Sequence, residues 1–160
     1  MSVNTKKSER RPLRFESIDD IRVELDRLET AHKAEGVRHT GNYSPGQNFN
    51  HLANWIEIYE TREFGPTPPW FVRVIGKMMK NKIVTKGFPA GLSGPGNKPQ
   101  PEPEASFEDG VARYRHKLDV LGTLDLAHEN PMFGPCTHDF AMQVQLRHAE
   151  HHLGFLHPKG

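Results

Sequence analysis

Cysteine is almost absent from this chain of 160 residues, in which Cys136 carries the only thiol. An internal disulfide and a zinc site built from several cysteines are therefore excluded. Long apolar runs are missing as well, since no stretch approaches the roughly 18 apolar residues of a membrane-spanning helix. An excess of one charge is also missing, because 21 Lys and Arg residues face 20 Asp and Glu residues. These absences predict a soluble cytoplasmic protein that binds neither a membrane nor a nucleic acid.

Histidine, in contrast, is plentiful and occurs at ten positions. The imidazole ring is the commonest metal ligand in proteins and the group whose charge changes near neutral pH. Metal binding and proton transfer are therefore the first functions to consider for this chain. A single histidine is nevertheless more often an ordinary surface residue, so the position of each one along the predicted helices has to be weighed.

The sequence predicts one domain preceded by a short arm. Residues 1–15 are polar, basic and without apolar periodicity, which indicates a flexible N-terminal arm. A nucleic-acid-binding tail is the alternative for this segment. Residues 16–160 form the domain, in which a connection rich in proline and glycine occupies 87–106. Within that connection, residues 91–98 resemble a phosphate-binding loop only superficially, because the Gly-Lys-Ser/Thr ending is missing.

Four long amphipathic helices are predicted where a capping residue precedes apolar residues at spacings of three and four. They cover 17–34, a segment that begins at Pro45, 106–123 and 137–156. A shorter segment, 70–80, combines β-branched residues with helical spacing, and we prefer a helix there to a strand. No other segment predicts a strand. The expected fold is therefore all-α: a four-helix bundle in which a long crossover connection, containing the short extra helix, joins the second and third long helices.

The last predicted helix places His148 and His152 in the middle of its apolar face, and Arg147 and Glu150 on its polar side. Imidazoles at positions i and i+4 project from adjacent turns, a spacing that lets both reach one metal ion. Burying two imidazoles without partners is unfavourable, and a metal ion supplies a partner. A pair of core histidines bonded to the backbone or to Gln145 explains the same pattern equally well.

The second predicted helix carries His51 on the flank of its apolar stripe, one turn before Trp55. Gln47, one turn earlier, and Asn54 are candidates to orient the His51 ring through hydrogen bonds. For a single flank histidine, however, these residues alone favour a partly exposed core position over a metal ligand. His151, near the edge of the apolar face of the last helix, is a candidate proton carrier.

Three further segments carry a recognisable pattern of residues. They are residues 41–53, 131–135 and 147–153. Together they resemble the DinB-like superfamily of metal-binding four-helix bundles, and in particular a branch of uncharacterised bacterial proteins within it. Members of this superfamily hold a metal ion with one histidine of the second helix and a His-x-x-x-His pair of the last. The resemblance therefore implies that His51, His148 and His152 form a metal site.

The resemblance also implies a reaction class and an assembly. Characterised members are thiol-dependent transferases or isomerases in which the metal activates a low-molecular-weight thiol, and many of them are homodimers. Three neutral imidazoles leave coordination positions open, as in catalytic metal sites, so water or a thiol could be activated there. A zinc protease is excluded, because residues 148–152 lack the His-Glu-x-x-His pattern.

The function predicted from these observations is that of a metal-dependent transferase or hydrolase acting on a small molecule. The alternative is a non-enzymatic helical bundle that binds a metal ion or is stabilised by one. Imidazole ligands alone do not choose among zinc, nickel, iron and copper, and of these we expect zinc or nickel.

Overall fold

The computed structural model describes residues 3–91 and 104–159, which form five helices and two pairs of short strands. The helices are α1 (Ile18–Ala34), α2 (Pro45–Thr61), α3 (Trp70–Lys86), α4 (Phe107–Leu121) and α5 (His138–Leu153). The strands are β1 (Val37–His39), β2 (His128–Asn130), β3 (Gly134–Cys136) and β4 (Leu156–Pro158). Among the described residues, no helix combines the length and the apolar character needed to cross a lipid bilayer.

Side-chain caps determine where four of these helices begin. Ser17 and Ser44 start α1 and α2 in reciprocal capping boxes, in which side chain and backbone bond in both directions. Ser106 and Thr137 cap α4 and α5 by accepting a hydrogen bond from the backbone N–H three residues later. The helix starts predicted from these four residues are confirmed.

The structure corrects the predicted end of two helices. α3 continues to Lys86 and has 17 residues, as many as α1 and α2, so the prediction of a short extra helix ending near residue 80 is wrong. Gly87, at a φ of 78°, is the residue that ends it. α5 ends at Leu153 and not near residue 156, because the chain turns at Gly154 and enters β4.

Two antiparallel strand pairs correct the expectation of an all-α fold. β1 pairs with β4, so that Val37 lies opposite Pro158 and His39 opposite Leu156. β2 pairs with β3 across a tight turn. Each strand has only three residues, which is too short to produce a recognisable alternation of apolar and polar side chains. Residues 92–103 of the predicted 87–106 connection, with most of the 91–98 segment, lie outside the described residues.

The core is one cluster of buried apolar side chains drawn mainly from α1, α2, α4 and α5. The most extensive helix contact joins α2 to α4, and it is closest near their first turns, at Gly46 and Gly110. A Cβ atom on Gly46 would lie 2.2 Å from the Ala105 carbonyl oxygen, and one on Gly110 would lie 2.8 Å from the Gly46 carbonyl oxygen. Glycine at both positions therefore permits an approach that a side chain would prevent.

The segment that precedes α1 packs along α5. Phe15 is buried, its backbone N–H donates to Glu150 Oε1 at 2.6 Å, and its carbonyl accepts from the Arg147 guanidinium. The backbone N–H of Arg11 donates to the Gly154 carbonyl at 2.8 Å. The polar side of α5, where the sequence places Arg147 and Glu150, is therefore covered by this segment and not by solvent: the two residues are 0% and 9% exposed.

Candidate metal centre

Three histidine side chains meet between α2 and α5. His51 comes from α2, while His148 and His152 come from successive turns of α5. The ring centroids are 5.2 Å apart for His51 and His148, 4.4 Å for His51 and His152, and 4.6 Å for His148 and His152. One nitrogen from each ring lies within 4.8 Å of the other two, so the group could hold a metal ion. Nitrogens bound to one tetrahedral zinc ion at about 2.0–2.1 Å are roughly 3.4 Å apart, so the rings need only a small further approach.

The packing of both helices fixes where these imidazoles lie. Ala149 and Leu153, which follow His148 and His152 directly, are fully buried and set the rotation of α5. On α2, Leu52 is buried next to His51, which is itself only 9% exposed. The three rings therefore face one another at the boundary of the core, where they are partly shielded from water.

Aromatic side chains surround the group of histidines. The ring of Tyr43 lies almost parallel to that of His152, at an angle of 11° and a centroid distance of 6.0 Å. Trp55 and Phe88 meet His148 edge-on, at centroid distances of 5.0 Å and 5.8 Å. These rings give the group apolar walls on several sides and limit the access of water to it.

Asn48 is a polar residue of this site that the sequence reasoning did not identify. It is buried in the first half of α2, and its Oδ1 lies 3.3 Å from Nδ1 of His152. Its spacing of three residues from His51 was the available signal, because positions i and i+3 share one face of a helix. His152 lies 104 residues further along the chain, so no local pattern could have revealed this contact.

The two candidates for orienting His51 have contacts that hold α2 in position. Gln47 Oε1 accepts a hydrogen bond from the Ser44 backbone N–H at 2.9 Å, as part of the capping box. Asn54 Oδ1 accepts from the Arg113 guanidinium of α4 at 2.6 Å. A role for Gln47 or Asn54 beside His51 stays a prediction.

Comparison with known proteins identifies the family to which the chain belongs. A family model described as "Protein of unknown function (DUF1569)" matches residues 7–159 and therefore includes all three histidines. The chain belongs to the DUF1569 family. No curated protein and no solved structure matches it. Because the family description names no activity, the function of this DUF1569 protein has to be argued from the site itself.

Burial keeps His148 and His152 of this DUF1569 site neutral. The pKa of His148 lies well below the usual value, first because burial disfavours the charged ring and then because His51 and His151 repel a positive charge there. The pKa of His152 is also lowered strongly, by burial first and by the neighbouring histidines second. A neutral imidazole has a free lone pair on one nitrogen, which is the form that binds metals.

His151, the candidate proton carrier, lies beside the group and not within it. Its ring centroid is 5.0 Å from that of His152, and its Nδ1 accepts a hydrogen bond from Arg10 at 2.7 Å. Burial, followed by the positive charge of Arg10, lowers the pKa of His151 to about 4. His151 is therefore neutral near pH 7, with one ring nitrogen already occupied, and its role in proton transfer stays a prediction.

Cys136 and the remaining histidines lie outside the group of three histidines. Cys136 is buried in β3, and burial raises the pKa of its thiol, which keeps it protonated and unreactive near neutral pH. The other histidines that the group does not include are His32, His39, His116, His128, His138 and His157.

Proposed function

We propose that this DUF1569 protein binds a divalent transition metal ion through His51, His148 and His152 and uses it to transform a small molecule. The observation that carries the proposal is the convergence of three imidazole nitrogens within 4.8 Å of one another. Because α2 and α5 are far apart in the sequence, these side chains meet only through the fold. A chance distribution of histidines over the surface does not explain why three of them meet at the boundary of the core.

Two buried polar atoms at the site, one of them on His148 itself, support the proposal. His148 Nδ1 and Trp55 Nε1 are both buried, and neither has a hydrogen-bond partner among the described residues. Leaving a buried polar group without a partner costs about 1–3 kcal/mol. A metal ion and the molecules bound to it are partners of the kind that these atoms lack.

The proposed chemistry follows from a set of only three imidazole ligands. Three imidazoles leave coordination positions open for water or substrate, as in catalytic rather than structural zinc sites. A bound divalent metal lowers the pKa of a coordinated water or thiol and so supplies a nucleophile near neutral pH. The chain holds the ligands in place, and its aromatic rings restrict the water that reaches them. His151, whose ring centroid lies 5.0 Å from that of His152, is the proposed proton carrier.

The finer parts of the proposal rest on the resemblance to the DinB-like superfamily. It supports a four-helix bundle made of α1, α2, α4 and α5 with α3 in the crossover, a homodimer, and a low-molecular-weight thiol as co-substrate. Zinc or nickel is the proposed metal and is tested first, although imidazole ligands suit iron and copper as well. A transferase is then the first reaction class to test, and a hydrolase the second.

A second candidate function is a non-enzymatic bundle that the metal stabilises. The observation that favours it is the position of the site, which links α2 to α5 at the boundary of the core. A metal ion bound there would cross-link α2 and α5. It would stabilise the folded state whether or not any substrate reacts.

Metal removal and turnover together separate the two functions. The protein is stripped with a chelator, reloaded with Zn²⁺ or Ni²⁺, and compared with His51→Ala and with His116→Ala, a control at an exposed position of α4. At free metal about 100-fold above Kd, binding stabilises the wild type and the control by about 2.7 kcal/mol, while His51→Ala should show no such gain.

Turnover is then measured on a panel of thiol acceptors and on a panel of esters and amides. Metal-dependent turnover that His51→Ala abolishes supports an enzyme. Stabilisation by metal with no turnover on either panel leaves the second candidate. A melting temperature that metal raises equally in His51→Ala would contradict both.

A further inference from the structure

Asn48 is held by a hydrogen-bond network that determines which way its amide group faces. Its Nδ2 donates to two backbone carbonyls at the start of α2, those of Tyr43 at 3.2 Å and Ser44 at 3.1 Å. A reversed amide would turn Oδ1 towards these two carbonyl oxygens and lose both hydrogen bonds. Since Asn48 is only 2% exposed, water could not replace them. The amide oxygen must therefore face away from the two carbonyls, on the side where His152 lies.

The orientation of the amide decides the state of the His152 ring. Asn48 Oδ1 can only accept a hydrogen bond, and it lies 3.3 Å from His152 Nδ1. In the neutral ring, Nδ1 must then carry the hydrogen, and the lone pair is left on Nε2. We infer that Asn48 is a positioning residue, which fixes His152 as the Nδ1–H tautomer and thereby assigns Nε2 as its metal-binding atom. The effect of this tautomer on metal binding rests on the proposed function, in which His152 is a metal ligand.

Residues near the start of α2 connect Asn48 to the rest of the site. The same turn that Asn48 bonds contains Tyr43, whose ring is stacked on His152 at 6.0 Å. The ring of His152 is thus fixed from two directions, by stacking on its face and by a hydrogen bond at its edge. His51 follows Asn48 by three residues on α2, so the residue that orients one ligand and the residue that supplies another share one helix face. Partners of this kind orient the ring and raise its basicity towards a metal.

The tautomer can be measured without any metal. Long-range ¹H–¹⁵N NMR of the histidine rings in metal-free protein near pH 8 identifies which nitrogen of His152 carries the hydrogen. The expected result for the wild type is a hydrogen on Nδ1. In Asn48→Leu, which removes the acceptor at similar volume, His152 should populate both tautomers. In Asn48→Asp, which gives up the two Nδ2 hydrogen bonds but keeps an acceptor facing His152, the Nδ1–H form should persist.

Metal affinity supplies the functional readout. Zn²⁺ binding measured by competition with a chromogenic chelator should weaken by about 10- to 100-fold in Asn48→Leu and should be largely rescued in Asn48→Asp. Asn50→Leu is the matched control on the same helix: Asn50 Oδ1 is 3.4 Å from Arg113 and does not bond His152. Circular dichroism and melting in chelator show that each variant is folded before its affinity is compared.

The outcomes separate the inference from the function on which it rests. A wild-type His152 with its hydrogen on Nε2 overturns the inference, even if Zn²⁺ binds. An affinity in Asn48→Leu equal to that of the wild type overturns it as well. If the wild type shows the Nδ1–H tautomer but binds no metal, the proposed function fails while the assigned role of Asn48 in orienting the ring stands. Should Asn48→Leu fail to fold, the wild-type and Asn48→Asp spectra still decide the tautomer.

Discussion

The imidazoles of α5 occupy positions where a positive charge is costly. In the unfolded chain, histidines take up a proton near pH 6.5. In the folded metal-free protein, burial keeps the pKa of His148 and His152 well below that value. Between the two values the unfolded state binds more protons than the folded state, so the free energy of unfolding should fall as the pH drops below about 6.5. Above that range these groups are neutral in both states and contribute no pH dependence.

Urea denaturation in the presence of a chelator, at pH values between about 5.5 and 7.5, measures this effect. His148→Gln removes one of the buried rings and should lose less stability towards acid than the wild type. His116→Gln, at an exposed position of α4, should keep the full wild-type dependence. Equal acid sensitivity in the wild type and in His148→Gln would show that burial does not lower the pKa of this ring.

At the scale of single elements, glycine controls how closely α2 and α4 approach. An alanine in place of a helical glycine normally stabilises a protein by up to about 1 kcal/mol. At Gly110 the new Cβ atom would lie 2.8 Å from the Gly46 carbonyl oxygen, so the helices would have to separate. Gly110→Ala should therefore destabilise the protein by about 1–3 kcal/mol, the usual cost of overpacking.

Gly122→Ala is the matched control for this prediction. Gly122 has a φ of −65°, and the nearest atom to its added Cβ is 3.5 Å away, an ordinary contact. This variant should be as stable as the wild type or slightly more so in urea denaturation. If Gly110→Ala unfolds at the same urea concentration as Gly122→Ala, the close approach of α2 and α4 does not limit the packing.

The helices and strands differ in how well they can be predicted from their own sequence. The starts of four helices follow from Ser17, Ser44, Ser106 and Thr137, because a cap is a local signal that needs no tertiary contact. The strand pair of β1 and β4 has no such signal, since three residues near the start of the domain pair with three at its end. The end of α5 depends on the same pairing, which explains why its predicted boundary was too late.

The candidate site shows the same division between local and distant information. His148 and His152 follow from helical periodicity within α5. His51 was assigned through family resemblance, because the sequence of α2 does not indicate that α5 packs beside it. Asn48 was missed for the same reason: its partner His152 lies on another helix. Burial of Arg147 could not be foreseen either, because it depends on where the segment before α1 packs.

At the scale of the whole molecule, a buried charge holds the segment before α1 against α5. Arg147 is completely buried, and its Nη1 lies 3.2 Å from Glu150 Oε1. Removing one partner of such a pair leaves an uncompensated charge, which typically costs about 3–5 kcal/mol. Glu150→Gln keeps the side chain's shape and an oxygen for the Phe15 N–H but removes the negative charge. It should destabilise the metal-free protein by about 3 kcal/mol.

A surface pair gives the comparison for Glu150→Gln. Arg38 and Glu9 form an ion pair at 3.0 Å in which both side chains are more than half exposed. Arg38→Gln should change the free energy of unfolding very little, because water and salt screen exposed pairs. Urea denaturation of both variants in chelator tests the difference. If Glu150→Gln costs no more than Arg38→Gln, the segment before α1 does not depend on the buried pair.

The metal content of the purified protein is the sharpest test of whether His51, His148 and His152 hold a metal ion. The wild type, His51→Ala and His116→Ala are purified without chelator or affinity metal and analysed by inductively coupled plasma mass spectrometry. We expect close to one transition-metal ion per chain in the wild type and in His116→Ala, and almost none in His51→Ala. A wild type that neither retains nor takes up a stoichiometric metal ion, or a His51→Ala variant that keeps it, would show that these three histidines do not form the metal site.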